Sequence, residues 1–393
     1  MNRKIVITRI DNKIWTTLFE NDEVVEIHCV SEQSILGNIY VGRVKNIVNN
    51  INAAFVEIAN GVECYYSIAE NEMPVFTTKI GKKAICIGDE VLVQVSKEAV
   101  KTKVPTVTGK IELTGKYAVL SHGDTRIGVS NKIAKEDRER LLGIAKKFEN
   151  EKYGFIVRTN AKDASDEVLE QELLRLSQEY ESLILASKTR ACYSCMKVVS
   201  KEYLTILRDV YQEGLTDIIV EEKDLYHDIK EFLSNEQAED LDKLRLYDDK
   251  LLPLHKLYGI EKQIENALKH YVWLKSGAYL VIEPTEALTV IDVNTGKCIG
   301  KKKDETTYLK INLEAAKEAA RQIRLRNLSG IIVVDFINLS NQEYMQQLLE
   351  CFRMELNKDP IATTLVDVTK LQLVEVTRKK IRKPLHESIG GTR

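Results

Sequence analysis

The sequence predicts a multi-domain protein of mixed α+β and α/β class. A chain of 393 residues is too long for one ordinary hydrophobic core, so about two to four compact units are expected. Almost the whole first third consists of short strand-like runs without a convincing helix. The last third contains a strand, a helix and a second strand in the order of a parallel α/β unit.

The composition indicates an ordered protein of nearly balanced charge. Apolar residues make up 44% of the chain, and only 6 prolines are present, which leaves little room for long disordered linkers. Lys and Arg (57) nearly cancel Asp and Glu (59), so a surface that binds a polyanion must be local. Residues 1–20 lack the apolar core of a signal peptide, and no apolar run approaches the ~20 residues of a membrane span. We therefore expect a cytoplasmic protein that does not bind a membrane.

The cysteines favour a reducing compartment. Seven of them are scattered along the chain, which does not suit a disulfide framework. Cys192 and Cys195 have CxxC spacing, but no second pair or clustered histidine completes four zinc ligands. We expect two reduced thiols and no zinc site, and the sequence assigns this pair no role.

Short strands fill the chain up to about residue 120. Residues 4–10, 13–19 and 23–30 are strand-like runs separated by turns of Asn and Asp, which predicts a β-meander. Further strands follow from residue 37, and we expect the last of them over 110–120. Five or six short strands in this space predict a small closed barrel, for which the OB-fold is the usual five-stranded solution.

The predicted barrel carries aromatic and basic residues together. Phe55 and Tyr65 lie on or near successive strands, and Lys103 is one of several basic residues around them. Aromatic rings within a basic groove are how OB-folds hold unpaired bases and their backbone. A barrel core also uses aromatic rings, so composition alone leaves both interpretations open.

Helical periodicity begins after residue 121. We expect a helix over 135–147 and a strand over 153–158. Ser165 is suited to cap a long helix that follows. The core stripe of that helix should consist of Leu169, Leu173, Leu176, Tyr180 and Leu183. Residues 217–270 then alternate strands and helices in an α/β pattern.

Two aspartates each follow an apolar strand in the last third of the chain. One strand runs into Asp292, with Asn294 two residues later, and the second runs into Asp335. A helix lies between the strands, and we expect Asn312 to cap it. Such a crossover makes the strands parallel, so their carboxyl ends lie at one edge of the sheet, where α/β proteins bind ligands. We therefore expect Asp292 and Asp335 to face each other.

This pair of carboxylates indicates a metal site. Two adjacent carboxylates repel each other unless a cation lies between them, and hard oxygen ligands suit Mg²⁺, with Mn²⁺ as an alternative. The chemistry expected is metal-assisted hydrolysis of a phosphodiester, with Asn294 holding the phosphate or a metal-bound water. Asp292 or Asp335 alone would equally suit a turn cap, so the prediction depends on the pair.

Basic residues are frequent in the same part of the chain. They include Arg321, Arg324, Arg326 and the run 378–383, of which Arg378 is an expected RNA contact. A run of this kind is usually a solvated face. Beside a metal site it can also neutralise phosphates.

The motifs together resemble the ribonuclease E/G family along essentially the whole chain. The most specific matches are Ile282-Glu283-Pro284-Thr285, Asp292-Val293-Asn294-Thr295-Gly296, Arg321-Gln322-Ile323-Arg324 and Val334-Asp335-Phe336. The resemblance implies a magnesium-dependent endoribonuclease that cuts single-stranded RNA to 5′-phosphate and 3′-hydroxyl products in rRNA processing and mRNA decay. It implies that Asp292 and Asp335 are the catalytic metal-binding pair, with Asn294 as their supporting amide.

The resemblance also implies a division of the chain into subdomains. These are a split RNase H-like subdomain (1–34 and 204–270), an inserted OB-fold RNA-binding domain (35–120), a 5′-sensor subdomain (121–203) and a DNase I-like α/β catalytic subdomain (271–393). Phe55, Tyr65 and Lys103 match RNA-contact positions, although Tyr65 replaces an expected phenylalanine. Arg158 and Thr159 match the sensor, where a guanidinium fork and a hydroxyl favour a 5′-monophosphate over a hydroxyl end.

The chain also departs from the family pattern towards its C-terminal end, and two alternatives stay open. The family's paired-cysteine zinc motif is absent before Arg393, so any homodimer is expected to form without a zinc link. The lack of a long acidic or basic tail favours a short, ribonuclease G-like form. The alternatives are a non-catalytic RNA-binding protein and a metal-dependent phosphatase or nucleotide hydrolase. The second is disfavoured because no Walker-type glycine loop is present. The sequence specifies neither the cellular transcripts, nor the preferred cleavage sequence, nor the oligomeric state.

Overall fold

The structure is a computed structural model that describes residues 2–30, 34–79, 84–99, 103–210, 214–296 and 304–390. The chain divides into two compact units. One unit consists of Met1–Ser31 with Asp209–Arg393, and the other of Glu32–Arg208. In the described part of the chain each unit contains two β-sheets with helices. The predicted mixed class of α and β structure is therefore confirmed.

The first sheet of the discontinuous unit has five strands. Their order across the sheet is Leu244–Leu246, Leu215–Val220, Arg3–Ile10, Lys13–Glu20 and Glu23–Val30. The three strands that come first in the chain, Arg3–Ile10, Lys13–Glu20 and Glu23–Val30, form the predicted antiparallel meander. Leu215–Val220 pairs in parallel with both of its neighbours in the sheet. Apolar side chains of the meander and of neighbouring helices form one hydrophobic cluster, which removes their apolar surface from water. The helices of this part are Lys223–Glu236, Leu254–Leu257 and Ile260–Leu268.

The second sheet of this unit has six strands. Their order is Tyr271–Trp273, Tyr279–Pro284, Leu288–Asn294, Gly330–Asp335, Val374–Arg378 and Thr363–Val368. Burial alternates along the central strands, because successive side chains point to opposite faces. The buried face packs against helices Glu305–Leu325 and Gln342–Leu356. A short helix, Leu385–Ser388, lies near the C-terminus.

The long helix of this layer begins earlier than expected, so the predicted cap at Asn312 is wrong. The side chain of Asp304 accepts a hydrogen bond from the backbone N–H of Thr307 and forms the cap. Asn312 lies inside the helix and is fully buried. Its amide donates to the carbonyl of Ile337 (2.7 Å) and accepts from the N–H of Ile337 (3.0 Å). Asn312 therefore positions the backbone that follows Asp335.

The continuous unit contains a closed barrel of five strands. Going round the ring, these are Ile39–Val48, Ala53–Glu57, Glu63–Ser67, Thr106–Thr108 and Glu90–Lys97. The ring closes because the first strand also pairs with the last. Two short strands, Val75–Phe76 and Cys195–Lys197, extend this sheet. The closed five-stranded barrel is consistent with the predicted OB-fold.

The other sheet of this unit has four strands and is covered by helices. The strands are Glu112–Thr114, Ala118–His122, Tyr153–Val157 and Ile127–Val129, and the helices that pack on them are Lys135–Lys146 and Asp166–Ser187. A further helix, Glu202–Asp209, ends at the boundary between the units. Ser165 caps the longest helix by accepting from the N–H of Val168, as predicted. The predicted stripe of that helix is buried throughout. None of the helices in the described ranges is both long and apolar enough to cross a bilayer.

The expected last strand of the barrel, 110–120, is wrong. This stretch forms two strands of the four-stranded sheet, joined by a turn at Gly115. The buried carboxylate of Glu172 holds the turn by accepting three backbone N–H groups, those of Lys116 (3.0 Å), Tyr117 (2.7 Å) and Ala118 (2.8 Å). A Cβ atom at Gly115 would lie 2.4 Å from this carboxylate, so a larger residue there would displace Glu172 from the turn. The expected boundary at residue 120 therefore falls inside a strand.

Candidate active site

Asp292 and Asp335 lie side by side on neighbouring strands of the six-stranded sheet. Their strands are parallel, and the register places the two residues directly opposite each other. Neighbouring strands lie about 4.8 Å apart, and opposite residues point to the same face. Both side chains are half-buried on the face away from the helices. The expected meeting of the two aspartates at one sheet edge is therefore present in the fold.

The charges of the pair are not balanced by each other. Burial and the negative charge of Asp292 both raise the pKa of Asp335 above its ordinary value. The side-chain amide of Asn294 donates a 2.7 Å hydrogen bond to Oδ2 of Asp292. This bond orients the carboxylate but does not remove the repulsion between the two acids. A bound cation would remove it.

The donor set fits a hard divalent cation. Carboxylate oxygens are preferred ligands of Mg²⁺, which commonly takes one or two of them and completes its shell with water and substrate phosphate. Across the described ranges, no group of three or more His, Cys, Asp or Glu side chains is arranged to hold a metal ion. A two-carboxylate site, open to water and phosphate, is the kind of site that the pair can form.

The turn after Asn294 is held by a close backbone approach. Gly296 has a φ of +55°, which favours glycine. A Cβ atom there would lie 2.4 Å from the carbonyl oxygen of Gly277. The turn and the buried Asn312 thus position the two segments that follow Asp292 and Asp335.

The barrel brings together two of the residues expected to contact RNA. Phe55 and Tyr65 are opposite each other in the strand register, and their rings meet edge to face with centroids 6.4 Å apart. Both rings are half-buried, whereas the neighbouring Tyr66 is fully buried in the barrel core. Lys103 is exposed and lies two residues before Pro105, whose carbonyl accepts the N–H of Tyr65.

The expected 5′-sensor residues follow directly on the strand Tyr153–Val157. The guanidinium of Arg158 donates to the carbonyl of Gly115 (2.8 Å). The hydroxyl of Thr159 is hydrogen-bonded to that of Ser130 (3.0 Å). The sequence pattern did not predict Ser130 as a site residue. The one signal for it in the sequence is that a polar residue follows a short apolar strand. The fold thus pairs the two hydroxyls, and Arg158 directly precedes Thr159 in the chain.

Three of the basic residues singled out in the C-terminal part, Arg324, Arg326 and Arg378, are buried, whereas Lys379, Lys380 and Lys383 are exposed. The burial of Arg378 contradicts the RNA contact expected of it. Arg378 is 4% exposed, and its guanidinium bonds Asp359 (2.7 Å) and the side chain of Asn327 (2.6 Å). Strand alternation turns this side chain to the buried face. Arg324 is likewise buried and pairs with Glu20 (3.1 Å) and Glu26 (2.7 Å). These two arginines stabilise the fold and are not available to phosphates.

The cysteine pair shows no sign of special reactivity. Cys192 is half-buried and Cys195 exposed, and both are free thiols. Burial raises the pKa of both thiols, so they are protonated at neutral pH. The expectation of two reduced thiols stays a prediction.

A small closed barrel of five strands commonly binds oligonucleotides. A carboxylate pair that can hold a divalent ion is suited to the hydrolysis of phosphodiesters. A sequence model of the Ribonuclease E/G family matches residues 112–381. The chain is 35% identical over 389 residues to Ribonuclease G of Haemophilus influenzae, which covers 95% of this chain and 79% of that protein. It is 33% identical over 402 residues to Ribonuclease G of Escherichia coli (strain K12), covering 98% and 81%. It is also 33% identical over 384 residues to Ribonuclease E of Nostoc sp., covering 95% and 56%.

The chain therefore belongs to the ribonuclease E/G family. This membership confirms the predicted family and the predicted class of enzyme, an endoribonuclease and hence a hydrolase.

Proposed function

We propose that this protein is a magnesium-dependent endoribonuclease that hydrolyses single-stranded RNA to 5′-phosphate and 3′-hydroxyl fragments. The observation that carries the proposal is the register pair of Asp292 and Asp335, with Asn294 bonded to the first. Family membership supplies the substrate class, and the open carboxylate pair supplies the place for the reaction. Mn²⁺ is an alternative metal, because it accepts the same oxygen ligands.

In this mechanism Asp292 and Asp335 hold the metal. When bound, such an ion polarises the scissile phosphate and lowers the pKa of a water. Asn294 keeps Asp292 in place with one amide hydrogen, and its second hydrogen is suited to a phosphate oxygen. No side chain has to act as a covalent nucleophile. The acids themselves supply the negative charge that makes the site depend on a divalent ion.

The barrel is proposed to hold the RNA strand. Stacking of unpaired bases on Phe55 and Tyr65, with Lys103 on the backbone, matches the half-buried rings and the exposed ammonium group described above. Arg378 is not part of this proposal because it is buried.

The finer division of the chain is also a proposal. We retain a split RNase H-like subdomain (1–34 and 204–270), a 5′-sensor subdomain (121–203) and a DNase I-like catalytic subdomain (271–393). The barrel domain, 35–120, is better ended near residue 109, because the following strands belong to the four-stranded sheet.

The sensor is proposed to give a preference for 5′-monophosphorylated RNA. Arg158 supplies a charged fork and Thr159 a hydroxyl, and Ser130 adds a second hydroxyl beside it. A terminal phosphate offers these donors more charge than a hydroxyl end does. In the cell, we propose a cytoplasmic role in rRNA processing and mRNA decay.

The test uses matched single-stranded oligoribonucleotides with a 5′-phosphate or a 5′-hydroxyl end. The purified protein is incubated with each in Mg²⁺, in Mn²⁺ or in EDTA, and the ends of the products are identified. Cutting should require the metal and should be faster on the phosphorylated strand. Equal cutting in EDTA would contradict the metal mechanism, and tight binding without cutting would favour a non-catalytic RNA-binding protein.

A further inference from the structure

Two aromatic side chains are left exposed at one edge of the six-stranded sheet. Tyr271 and Trp273 lie on the edge strand and are 59% and 63% exposed. They are the only aromatics among the large hydrophobic side chains that are exposed in the described ranges. Leaving apolar surface in water costs about 25 cal/mol per Å². Contiguous exposed apolar surface of this kind commonly marks an interaction site.

A third ring joins these two into one surface. Tyr279 lies on the neighbouring strand, with its ring centroid 5.9 Å from that of Tyr271 and 5.0 Å from that of Trp273. The rings are tilted against each other by 56° and 50°. We call Tyr271, Trp273 and Tyr279 the aromatic platform.

The strand register connects the platform to the candidate active site. Trp273 is opposite Tyr279, and Tyr279 is opposite Asn294. Opposite residues point to the same face of a sheet, and neighbouring strands lie about 4.8 Å apart. Tyr279 is therefore one strand spacing from Asn294, and Trp273 is two spacings, or about 10 Å, away.

A second row across the sheet leads to the same place. Tyr271 is opposite Val281, Val281 is opposite Asp292, and Asp292 is opposite Asp335. Val272, between the two exposed rings, packs into the helix-covered core, which places the rings on the other face. The platform and the carboxylate pair thus share one open face of one sheet.

We propose that the aromatic platform stacks an unpaired RNA base next to the phosphate that is cleaved. This inference rests on the proposed function, because it assumes that RNA is held at Asp292 and Asp335. A nucleotide whose phosphate lies at the carboxylates carries its base a few ångströms to the side. Tyr279, the ring of the platform on the neighbouring strand, is one strand spacing from Asn294 and is therefore within reach of that base. Uncharged rings accept the π-face of any base, so such a subsite favours an unpaired strand without selecting a sequence.

The position of the aromatic platform beside the candidate active site favours an RNA base as its occupant. A base flanking the cleaved bond must come near the neighbouring strands, and the rings there are exposed and clustered. A second copy of the chain, pairing through the same edge strand, is the competing occupant. The experiments below distinguish the two.

Tryptophan fluorescence gives a direct readout that does not depend on cleavage. The chain has two tryptophans, and Trp15 is only 5% exposed. In a Trp15→Phe variant, Trp273 is the remaining reporter. We expect single-stranded RNA, mixed with the protein in Mg²⁺ and followed by stopped flow before it is cleaved, to quench Trp273 emission at saturation. Abasic residues at the nucleotides flanking the mapped cleavage site should remove the quenching.

A scan with abasic nucleotides identifies the base that the platform holds. Abasic substitutions are scanned along an oligoribonucleotide with a mapped cleavage site. In the wild type, an abasic nucleotide at one position beside the cut should lower the affinity for the RNA by about 5- to 100-fold, the range expected for one stacked base. The double variant Trp273→Ala, Tyr279→Ala should lose this sensitivity, and Trp273→Phe should keep most of it. Val366→Ala, an exposed residue on the opposite edge strand, is the matched control and should behave as wild type.

The possible results separate the platform from the proposed function. If the wild type cuts RNA but neither the abasic scan nor the double variant has an effect, the platform proposal is overturned and the nuclease proposal stands. If the wild type does not cut, both fail. If Trp273 emission changes with protein concentration and without RNA, and sedimentation shows a dimer that the double variant loses, a second copy covers the rings and the proposal is overturned.

Discussion

Two charged sites at the six-stranded sheet differ in how their charges are balanced. Asp292 and Asp335 are neighbours of like charge on a half-open face. Arg378 and Asp359 have opposite charges and are buried, and the guanidinium of Arg378 also donates a hydrogen bond to the side-chain oxygen of Asn327. Removing one partner of a buried, neutralised pair destabilises the fold, whereas a like-charged pair left facing solvent favours the binding of a counter-ion. The residue types alone do not show which of these two sites is neutralised within the protein and which is open to a ligand.

The largest effect should come from removing one acid of the like-charged pair. Asp292→Asn or Asp335→Asn should lower RNA cleavage in Mg²⁺ about a thousandfold or more, because metal stabilisation of the transition state is worth several kcal/mol. The free energy of unfolding without metal should stay equal or rise, since like-charge repulsion is removed. Cleavage rates and urea unfolding in EDTA measure the two quantities. Asp367→Asn, on the exposed edge strand of the same sheet, is the control, and normal cutting by Asp292→Asn would refute the site.

The opposite pattern is expected at the neutralised pair. Arg378→Ala should lower the free energy of unfolding by about 3–5 kcal/mol, because it leaves the buried Asp359 without a counter-charge. RNA affinity per folded molecule should be unchanged. Urea unfolding and an RNA-binding titration test both statements. Adding Asp359→Asn to the variant should restore part of the stability, and a loss of RNA affinity without destabilisation would contradict the structural role.

A third charged cluster predicts a pH dependence of stability. Burial alone would raise the pKa of Glu26, but Arg324 and a hydrogen bond from His28 outweigh it and hold the pKa well below the ordinary 4.5. The carboxylate therefore contributes stability that is complete above about pH 4.5 and is lost as the pH falls through the lowered pKa. Glu26→Gln should be less stable at neutral pH and should lose less on acidification.

The measurement for this cluster is the free energy of unfolding of both proteins between pH 3 and pH 7. Two parallel curves would contradict the assignment, since the variant lacks the titrating group. Asp367→Asn serves again as an exposed control.

The smallest effect is expected at the sensor. Arg158→Ala should reduce the advantage of 5′-monophosphorylated RNA by about tenfold, the value of one hydrogen bond to a charged group. Cutting of 5′-hydroxyl RNA should change little. Arg158→Lys keeps the charge but loses the planar fork, so an intermediate preference is expected. Competition between the two substrates measures the ratio, and an unchanged ratio in Arg158→Ala would remove the residue from the sensor.

Local patterns predicted much of the fold and the central pair of the site. The Leu169 stripe, the Ser165 cap and the parallel strands before Asp292 and Asp335 all depend on periodicity and chain connection within a few tens of residues. The crossover rule is enough to bring the two aspartates together. The sequence by itself therefore determined the class of the fold and the candidate metal ligands.

Only the tertiary structure decided which charges are internal and where the barrel ends. The burial of Arg378 depends on Asp359 and Asn327, and the turn at residues 115–117 depends on Glu172, which is more than fifty residues further along the chain. Asn312 is likewise buried by its bonds to Ile337 rather than used as a cap. A polar group is stable inside a protein only when a distant partner satisfies it, and local sequence does not contain that partner.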